Sequence, residues 1–135
     1  MKLLKSMTTS YELSLRLKEL GVEQTGEYYW VLTDEGEAYC YHHSDSMCNT
    51  SNGYTILCRA FTLGELVREI KGVYLFDAEA THECKWFAFV ETDQNTMDSG
   101  HFDTPEEAAG ELYYEILKKN RRMEYEQRTI NSRKR

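Results

Sequence analysis

Three Thr-x-x-Glu motifs divide the chain into two strand-rich stretches. They begin at Thr9, Thr62 and Thr104, and each is followed by apolar residues three and four positions apart. In a capping box of this kind, the threonine hydroxyl accepts a hydrogen bond from an amide in the first helical turn, and the glutamate carboxylate returns to the threonine amide. The motifs therefore predict three amphipathic helices, of which the first two end at Gly21 and Gly72.

Two sets of aromatic and β-branched residues lie between these helices and predict strands. The first set covers residues 28–33, 38–42 and 54–58, and the second covers residues 73–76, 86–90 and 97–102. The resulting order, α-β-β-β-α-β-β-β-α, predicts an α+β fold of antiparallel meanders with helices on one face, in which two similar halves share the central helix. Residues 28–32 and 86–90 are apolar on both faces, which indicates strands covered on both sides or an exposed aromatic face.

Length and composition favour one packed domain. A chain of 135 residues with 41% hydrophobic residues and a single proline buries about two-thirds of its unfolded surface. We expect residues 1–120 to form a single α+β domain and residues 121–135 to form a basic extension. Because no stretch approaches the ~20 apolar residues of a membrane span, we expect a cytoplasmic protein that does not bind membranes and whose four cysteines are thiols.

The charge of the C-terminal tail is opposite to that of the rest of the chain. Residues 1–117 carry 21 acidic and eight basic side chains, a net charge of -13, whereas residues 118–135 carry two acidic and eight basic side chains, a net charge of +6. An acidic body repels a phosphate backbone, since nonspecific nucleic-acid affinity depends on cationic neutralisation of phosphates. Only the tail, which includes Arg121 and Arg122, is therefore a candidate for binding nucleic acid.

Four cysteine and histidine side chains offer a possible metal site. Cys40 and His42 lie two residues apart on a predicted strand, and His82 and Cys84 have the same spacing. Residues two apart on a strand point to one face, so the two pairs together could supply the four ligands of tetrahedral zinc. Structural zinc sites usually contain paired ligands in short CxxC knuckles, which this chain lacks, so buried thiols are the favoured interpretation.

No motif in the chain points to catalysis. The chain lacks a P-loop, a dinucleotide-binding glycine pattern and a Gly-x-Ser-x-Gly motif. The carboxylates of Asp34, Glu35 and Glu37 lie in a predicted hairpin turn, where solvated charges are expected. We therefore expect a protein that is not an enzyme and that holds no cofactor.

Aromatic residues are the most unusual part of the composition, with ten Tyr, five Phe and two Trp. Tyr and Trp offer a large contact area at low entropic cost, which favours them at protein interfaces, although we expect most of them to fill the core. Adjacent tyrosines such as Tyr28 and Tyr29 cannot both face inward, so some tyrosines are exposed. The candidate interaction residues are Tyr28, Tyr29, Tyr39, Tyr41, Tyr113 and Tyr114, together with Arg121 and Arg122 of the tail.

Four segments occur in a characteristic order: residues 10–24, which include Leu-Lys-Glu-Leu-Gly, the aromatic residues 28–30, the Thr-Leu-Gly-Glu-Leu of residues 62–66 and the Asp-Thr-Pro-Glu-Glu-Ala-Ala of residues 103–109. In this order they resemble a family of small uncharacterised phage and prophage proteins. Their succession spans roughly residues 8–118. The resemblance implies a phage or prophage origin and implies no catalytic activity.

Two hypotheses about function follow. The first is a non-enzymatic interaction protein whose acidic, tyrosine-bearing surface binds a host or phage protein and modulates a host or defence complex, with a homodimer as a further option. The second is a nucleic-acid accessory protein that acts through the basic tail.

Overall fold

The computed structural model describes residues 7–77, 85–91 and 96–133. The helices in these ranges are α1 (Tyr11–Glu19), α2 (Leu63–Ile70) and α3 (Pro105–Arg133). The strands are β1 (Tyr28–Leu32), β2 (Ala38–His42), β3 (Thr55–Ala60), β4 (Val73–Asp77), β5 (Trp86–Glu91) and β6 (Thr96–Asp98). The element order confirms the predicted α+β class, with a three-stranded antiparallel sheet in each half.

The two sheets differ in strand order. The second is the expected meander, β4-β5-β6, whereas the first has the order β2-β1-β3. The meander prediction is therefore wrong for the first half, because the chain after β2 crosses to the far edge of β1. This places the most apolar strand in the centre, where both of its faces are covered: Trp30 is 6% exposed and Val31 is fully buried.

The first predicted helix start is displaced by one residue. The N-cap of α1 is Ser10, whose hydroxyl accepts from the Leu13 amide, and not Thr9. The Thr9 hydroxyl instead accepts from the Phe61 amide at 3.1 Å and lies 2.7 Å from the Ser14 hydroxyl. Because its side chain is buried and bonded to other residues, Thr9 joins α1 to the segment before α2.

A glutamate from α3 completes the cap of α1. The Ser10 amide and hydroxyl both donate to the carboxylate of Glu107, which therefore binds the cap residue of a different helix. The Thr104 hydroxyl accepts from the Glu107 amide at 3.1 Å, so the local half of the third predicted box is present. By contrast, the box of Thr62 and Glu65 at α2 has both of its hydrogen bonds and is confirmed.

The helices pack between the inner faces of the two sheets. Leu13 and Leu17 of α1, Leu66 of α2 and Ala109 of α3 meet around Phe61. The inner face of the first sheet packs against α1 through Trp30 and Tyr11, and the second sheet packs against α3 through Ala88 and Leu112. The outer face of the first sheet therefore points away from the helices.

A buried ion pair joins β3 to α2. Arg59 Nη2 lies 2.5 Å from Glu65 Oε2, and both side chains are about 10% exposed. Burial acts to raise the pKa of the Glu65 carboxyl, but the hydrogen bond from the Thr62 amide and the neighbouring guanidinium outweigh it, so that this pKa is lowered. The pair therefore favours the ionised carboxylate in the folded protein.

Helix α3 continues as one helix through Arg133, past the boundary expected at residue 120. The part that contacts the body ends near Leu117, and residues 118–133 are exposed except for Thr129, which is partly buried. We call residues 118–133 the C-terminal arm.

Candidate functional site

A pocket of about 260 Å³ lies on the outer face of the first sheet. Tyr39 and Tyr41 project from β2 on the side opposite the buried Cys40, and Tyr54 comes from the turn that precedes β3. The pocket is lined by Thr33, Asp34, Glu35, Tyr39, Tyr41, Met47 and Tyr54. We call these seven residues the acidic tyrosine pocket.

Two connections position the lining residues. The β1–β2 hairpin closes with hydrogen bonds from the Thr33 amide to the Glu37 carbonyl and from the Gly36 amide back to the Thr33 carbonyl. Gly36 has a positive φ of 80°, which glycine adopts at no steric cost. This turn holds Asp34 and Glu35 at one end of the pocket.

The second connection is the segment 43–54, which contains the 3-10 turns Ser46–Cys48 and Thr50–Asn52. The Asp45 and Asn49 side chains cap these turns by accepting from the Met47 and Ser51 amides. The first turn lies against β1 and β2, which brings Met47 over the outer face. The crossing that moves β3 to the far edge of β1 therefore also builds a wall of the pocket.

The pocket is electronegative. The Tyr39 hydroxyl donates to the Glu37 carboxylate, and this hydrogen bond raises the pKa of Tyr39. Burial and the nearby Asp45 carboxylate raise the pKa of Tyr41. Both phenols are therefore neutral at pH 7, while Asp34 and Glu35 supply negative charge and none of the described basic side chains lines the pocket.

The other tyrosines of the first sheet have different surroundings. Tyr28 lies on the inner face, where it packs against the first-sheet core and makes an edge contact with His42 at 5.2 Å. The Tyr29 hydroxyl accepts from the Gly26 amide at 2.9 Å. Of these four candidates, only Tyr39 and Tyr41 are brought into one pocket.

The candidates on α3 lie far from that pocket along the chain and belong to other parts of the fold. Tyr113 makes an edge contact with Phe61 in the core. Tyr114 has the Arg16 guanidinium 4.7 Å from its ring centroid. Arg121 and Arg122 are exposed on the C-terminal arm.

The proposed metal ligands are only partly within the described residues. Cys40 is 3% exposed in the core around Trp30, and burial raises the pKa of its thiol. His42 Nδ1 lies 2.7 Å from the Ser44 hydroxyl. His82 and Cys84 lie outside the described residues. Within the described ranges, no three His, Cys, Asp or Glu residues form a group that could hold a metal ion.

An aromatic row covers the outer face of the second sheet. Tyr74 stacks on Phe89 with centroids 5.1 Å apart, Phe89 stacks on Phe87 at 6.1 Å, and His101 lies 5.5 Å from Phe87. Tyr74 is 53% exposed. Of the two options for strands that are apolar on both faces, β1 therefore adopts the covered one. On the outer face of the second sheet Tyr74 is exposed, whereas Phe87 and Phe89 of β5 are partly buried.

The sequence predicts two members of the acidic tyrosine pocket, Tyr39 and Tyr41, as interaction candidates and does not predict the rest. The turn position of Asp34 and Glu35 favours solvated charges, and Met47 and Tyr54 carry no sequence signal of a site. The available clue was the alternation of Tyr39 and Tyr41 next to three turn carboxylates. Met47 and Tyr54 join the pocket only through the path of the segment 43–54.

Comparisons of the chain with protein-family models, with curated proteins and with solved structures found no match. Among the described residues, no helix has the length and apolar character needed to cross a membrane.

Proposed function

We propose that this chain is a non-enzymatic, phage- or prophage-encoded interaction protein whose acidic tyrosine pocket binds a cationic segment of a protein partner. The observation that carries the proposal is the convergence of three tyrosine rings and two carboxylates in a pocket that no basic side chain of the described ranges lines. A lysine or arginine side chain is the group that both the tyrosine rings and the carboxylates attract.

The chemistry of the lining supports a cationic ligand. A guanidinium or ammonium group over a tyrosine face gains about 0.5–1 kcal/mol at an exposed site, and a carboxylate adds a charge-assisted hydrogen bond. Tyr39 and Tyr41 are neutral phenols at pH 7, and their ring centroids lie 6.5 Å apart. Asp34 and Glu35 lie beside them at the hairpin.

The size of the pocket favours a side chain over a small-molecule ligand. Small-molecule sites usually occupy about 300–1,000 Å³ and bury most of their ligand, whereas this pocket holds about 260 Å³ and is open to solvent. A single arginine or lysine with its alkyl stem fits such a volume, and Met47 offers an apolar contact for that stem.

The origin and the compartment are part of the same proposal. The order of the helix-start and aromatic motifs supports a phage or prophage source. Cys40, Cys48 and Cys58 are free thiols, which suits a reducing cytoplasm. A host or phage protein with an exposed basic segment is the expected partner, and an acidic surface that imitates nucleic acid would attract such segments.

A peptide titration tests this function. We expect an arginine-rich dodecapeptide to bind the full chain in isothermal titration calorimetry, and the Asp34→Asn/Glu35→Gln variant to bind about tenfold more weakly, which corresponds to about 1.4 kcal/mol. The matched control is Glu12→Gln/Glu19→Gln, which removes the same charge from exposed positions of α1 on the other side of the sheet.

The control decides between a site and bulk attraction. If the pocket variant and the α1 variant lose affinity equally, the acidic body acts as a diffuse charge and the pocket is not the site. Tyr39→Leu/Tyr41→Leu should weaken peptide binding as well, because the cation–π contribution depends on the rings. Retained affinity in that variant would contradict the proposed role of the tyrosines.

A further inference from the structure

The C-terminal arm exposes apolar side chains on a helix that packs against no described part of the body. Met123 is 56% exposed, Tyr125 is 72% exposed and Ile130 is 47% exposed. The arm continues a helix that is packed in the body, and helices in proteins gain most of their stability from packing. A partner on the Tyr125 side would cover that ring, whereas Met123 and Ile130 lie on the other side of the helix.

Most of the cations of the arm have no ion-pair partner among the described residues of the body. Lys118 Nζ lies 4.0 Å from Glu115 of the same helix, and none of the other arm cations pairs with a described residue of the body. The arm contains no glycine or proline and extends α3 by about 24 Å at 1.5 Å per residue. Arg121, Arg122 and Arg128 are exposed on this continuous helix, so another molecule can reach them.

Helical periodicity gathers these cations on one side of the arm. Positions three, four and seven residues apart share a face, which groups basic residues around the most exposed tyrosine. We call this group the basic face, and it comprises Lys118, Arg121, Arg122, Tyr125 and Arg128. Arg and Tyr are the residues that contribute most often to binding energy at protein interfaces.

We infer that the basic face of the arm docks against the acidic tyrosine pocket of a second copy of this chain, with one basic side chain in the pocket, in a reciprocal two-fold dimer. The inference rests on the proposed function, because the arm would be the cationic segment that the pocket binds. Charge complementarity identifies the occupant: residues 1–117 carry -13, and the arm carries six basic and two acidic residues. Exchange of two arms by two pockets closes the assembly, as homodimers with two-fold symmetry require.

Nucleic acid is the less favoured occupant of the arm. A bound phosphate backbone would run close to a body with a large negative charge, which repels it. Glu124 and Glu126 also lie on either side of the basic face. Nucleic-acid binding is nevertheless an outcome that the experiment must detect.

A charge-swap experiment tests the dimer. In sedimentation velocity at 50 mM salt and 50 µM protein, we expect the wild-type chain to be a dimer that dissociates as salt is raised. The arm variant Arg121→Glu/Arg122→Glu and the pocket variant Asp34→Lys/Glu35→Lys should each be monomeric, because like charges then face each other. Mixed in equal amounts they should form a heterodimer, because both arm–pocket contacts are again complementary.

Several results would overturn the inference. A monomeric wild type, single variants that remain dimeric, or a mixture that stays monomeric would each contradict it, provided that circular dichroism shows all variants to be folded. Glu12→Lys/Glu19→Lys is the control for the pocket variant and should leave the dimer intact. Arm-dependent binding of a 20-base-pair duplex by a monomeric wild type would assign the arm to nucleic acid.

The two proposals can fail separately. If the wild type is monomeric and the arginine-rich peptide still binds in a pocket-dependent manner, only the dimer is wrong. If the chain neither dimerises through its arm nor binds the peptide at the pocket, both are wrong.

Discussion

Loss of one member of the buried Arg59–Glu65 pair should destabilise the fold strongly. The Glu65→Gln substitution keeps the side-chain volume but leaves the Arg59 guanidinium, whose side chain is 10% exposed, without an opposing charge. Breaking a buried ion pair on one side costs about 3–5 kcal/mol. The carboxylate also accepts from the Thr62 amide at 3.0 Å, so the cap of α2 weakens at the same time. We expect a loss of about 3 kcal/mol.

Urea unfolding followed by tryptophan fluorescence measures this loss. With a slope of about 1.5 kcal/mol per M, the midpoint should fall by about 2 M. The double variant Arg59→Met/Glu65→Gln removes both charges, and replacement of a buried pair by apolar groups is often neutral or stabilising. It should therefore be more stable than Glu65→Gln alone. Additive losses from the two single substitutions would refute the coupling inferred from the 2.5 Å contact.

The pH dependence of the same variant gives an independent check. Because the pKa of Glu65 is lowered in the folded protein, its stabilisation is present above the unfolded pKa of about 4.5 and is lost as the pH falls through the folded value. The stability difference between wild type and Glu65→Gln should therefore shrink below about pH 4. A difference that stays constant down to pH 3 would show that charge is not its cause.

Two further substitutions and one chemical modification test the packing. Gly110→Ala would place a Cβ 2.6 Å from Leu13 Cδ2. The free energy of unfolding, measured in urea, should therefore fall by about 1–3 kcal/mol, although alanine has the better helix propensity. A gain in stability would contradict the close approach of α1 and α3. Ser10→Ala removes the α1 cap and a hydrogen-bond partner of Glu107, and it should lower thermal stability by about 1 kcal/mol, whereas Ser46→Ala on an exposed turn should have little effect. Burial raises the pKa of Cys58 to about 11. At pH 8, iodoacetamide should therefore alkylate Cys58 in the folded protein about 100-fold more slowly than the same residue in the unfolded chain, as measured by site-resolved mass spectrometry. Equal rates would refute its burial.

The sequence by itself determined the elements whose signals are local. The capping box of Thr62 and Glu65 involves residues three apart, so the start of α2 could be predicted from spacing alone. The strands of both sheets could also be predicted, because runs of aromatic and β-branched residues between turn residues favour the extended backbone of a strand. The opposite charges of body and tail are likewise a property of the sequence.

Only the tertiary structure decided which residues meet. Glu107 accepts from Ser10, the N-cap residue of α1, which lies 97 positions earlier in the chain. The local motif at Thr104 could not reveal this contact, because it predicts only hydrogen bonds within the first turn of α3. The acidic tyrosine pocket depends on β3 crossing to the far edge of β1, which brings Tyr54 and Met47 beside Tyr39. A strand pattern predicts that residues lie in a sheet. The order of the strands, however, is set by which faces bury the most apolar surface, and this burial depends on the packing of the whole chain.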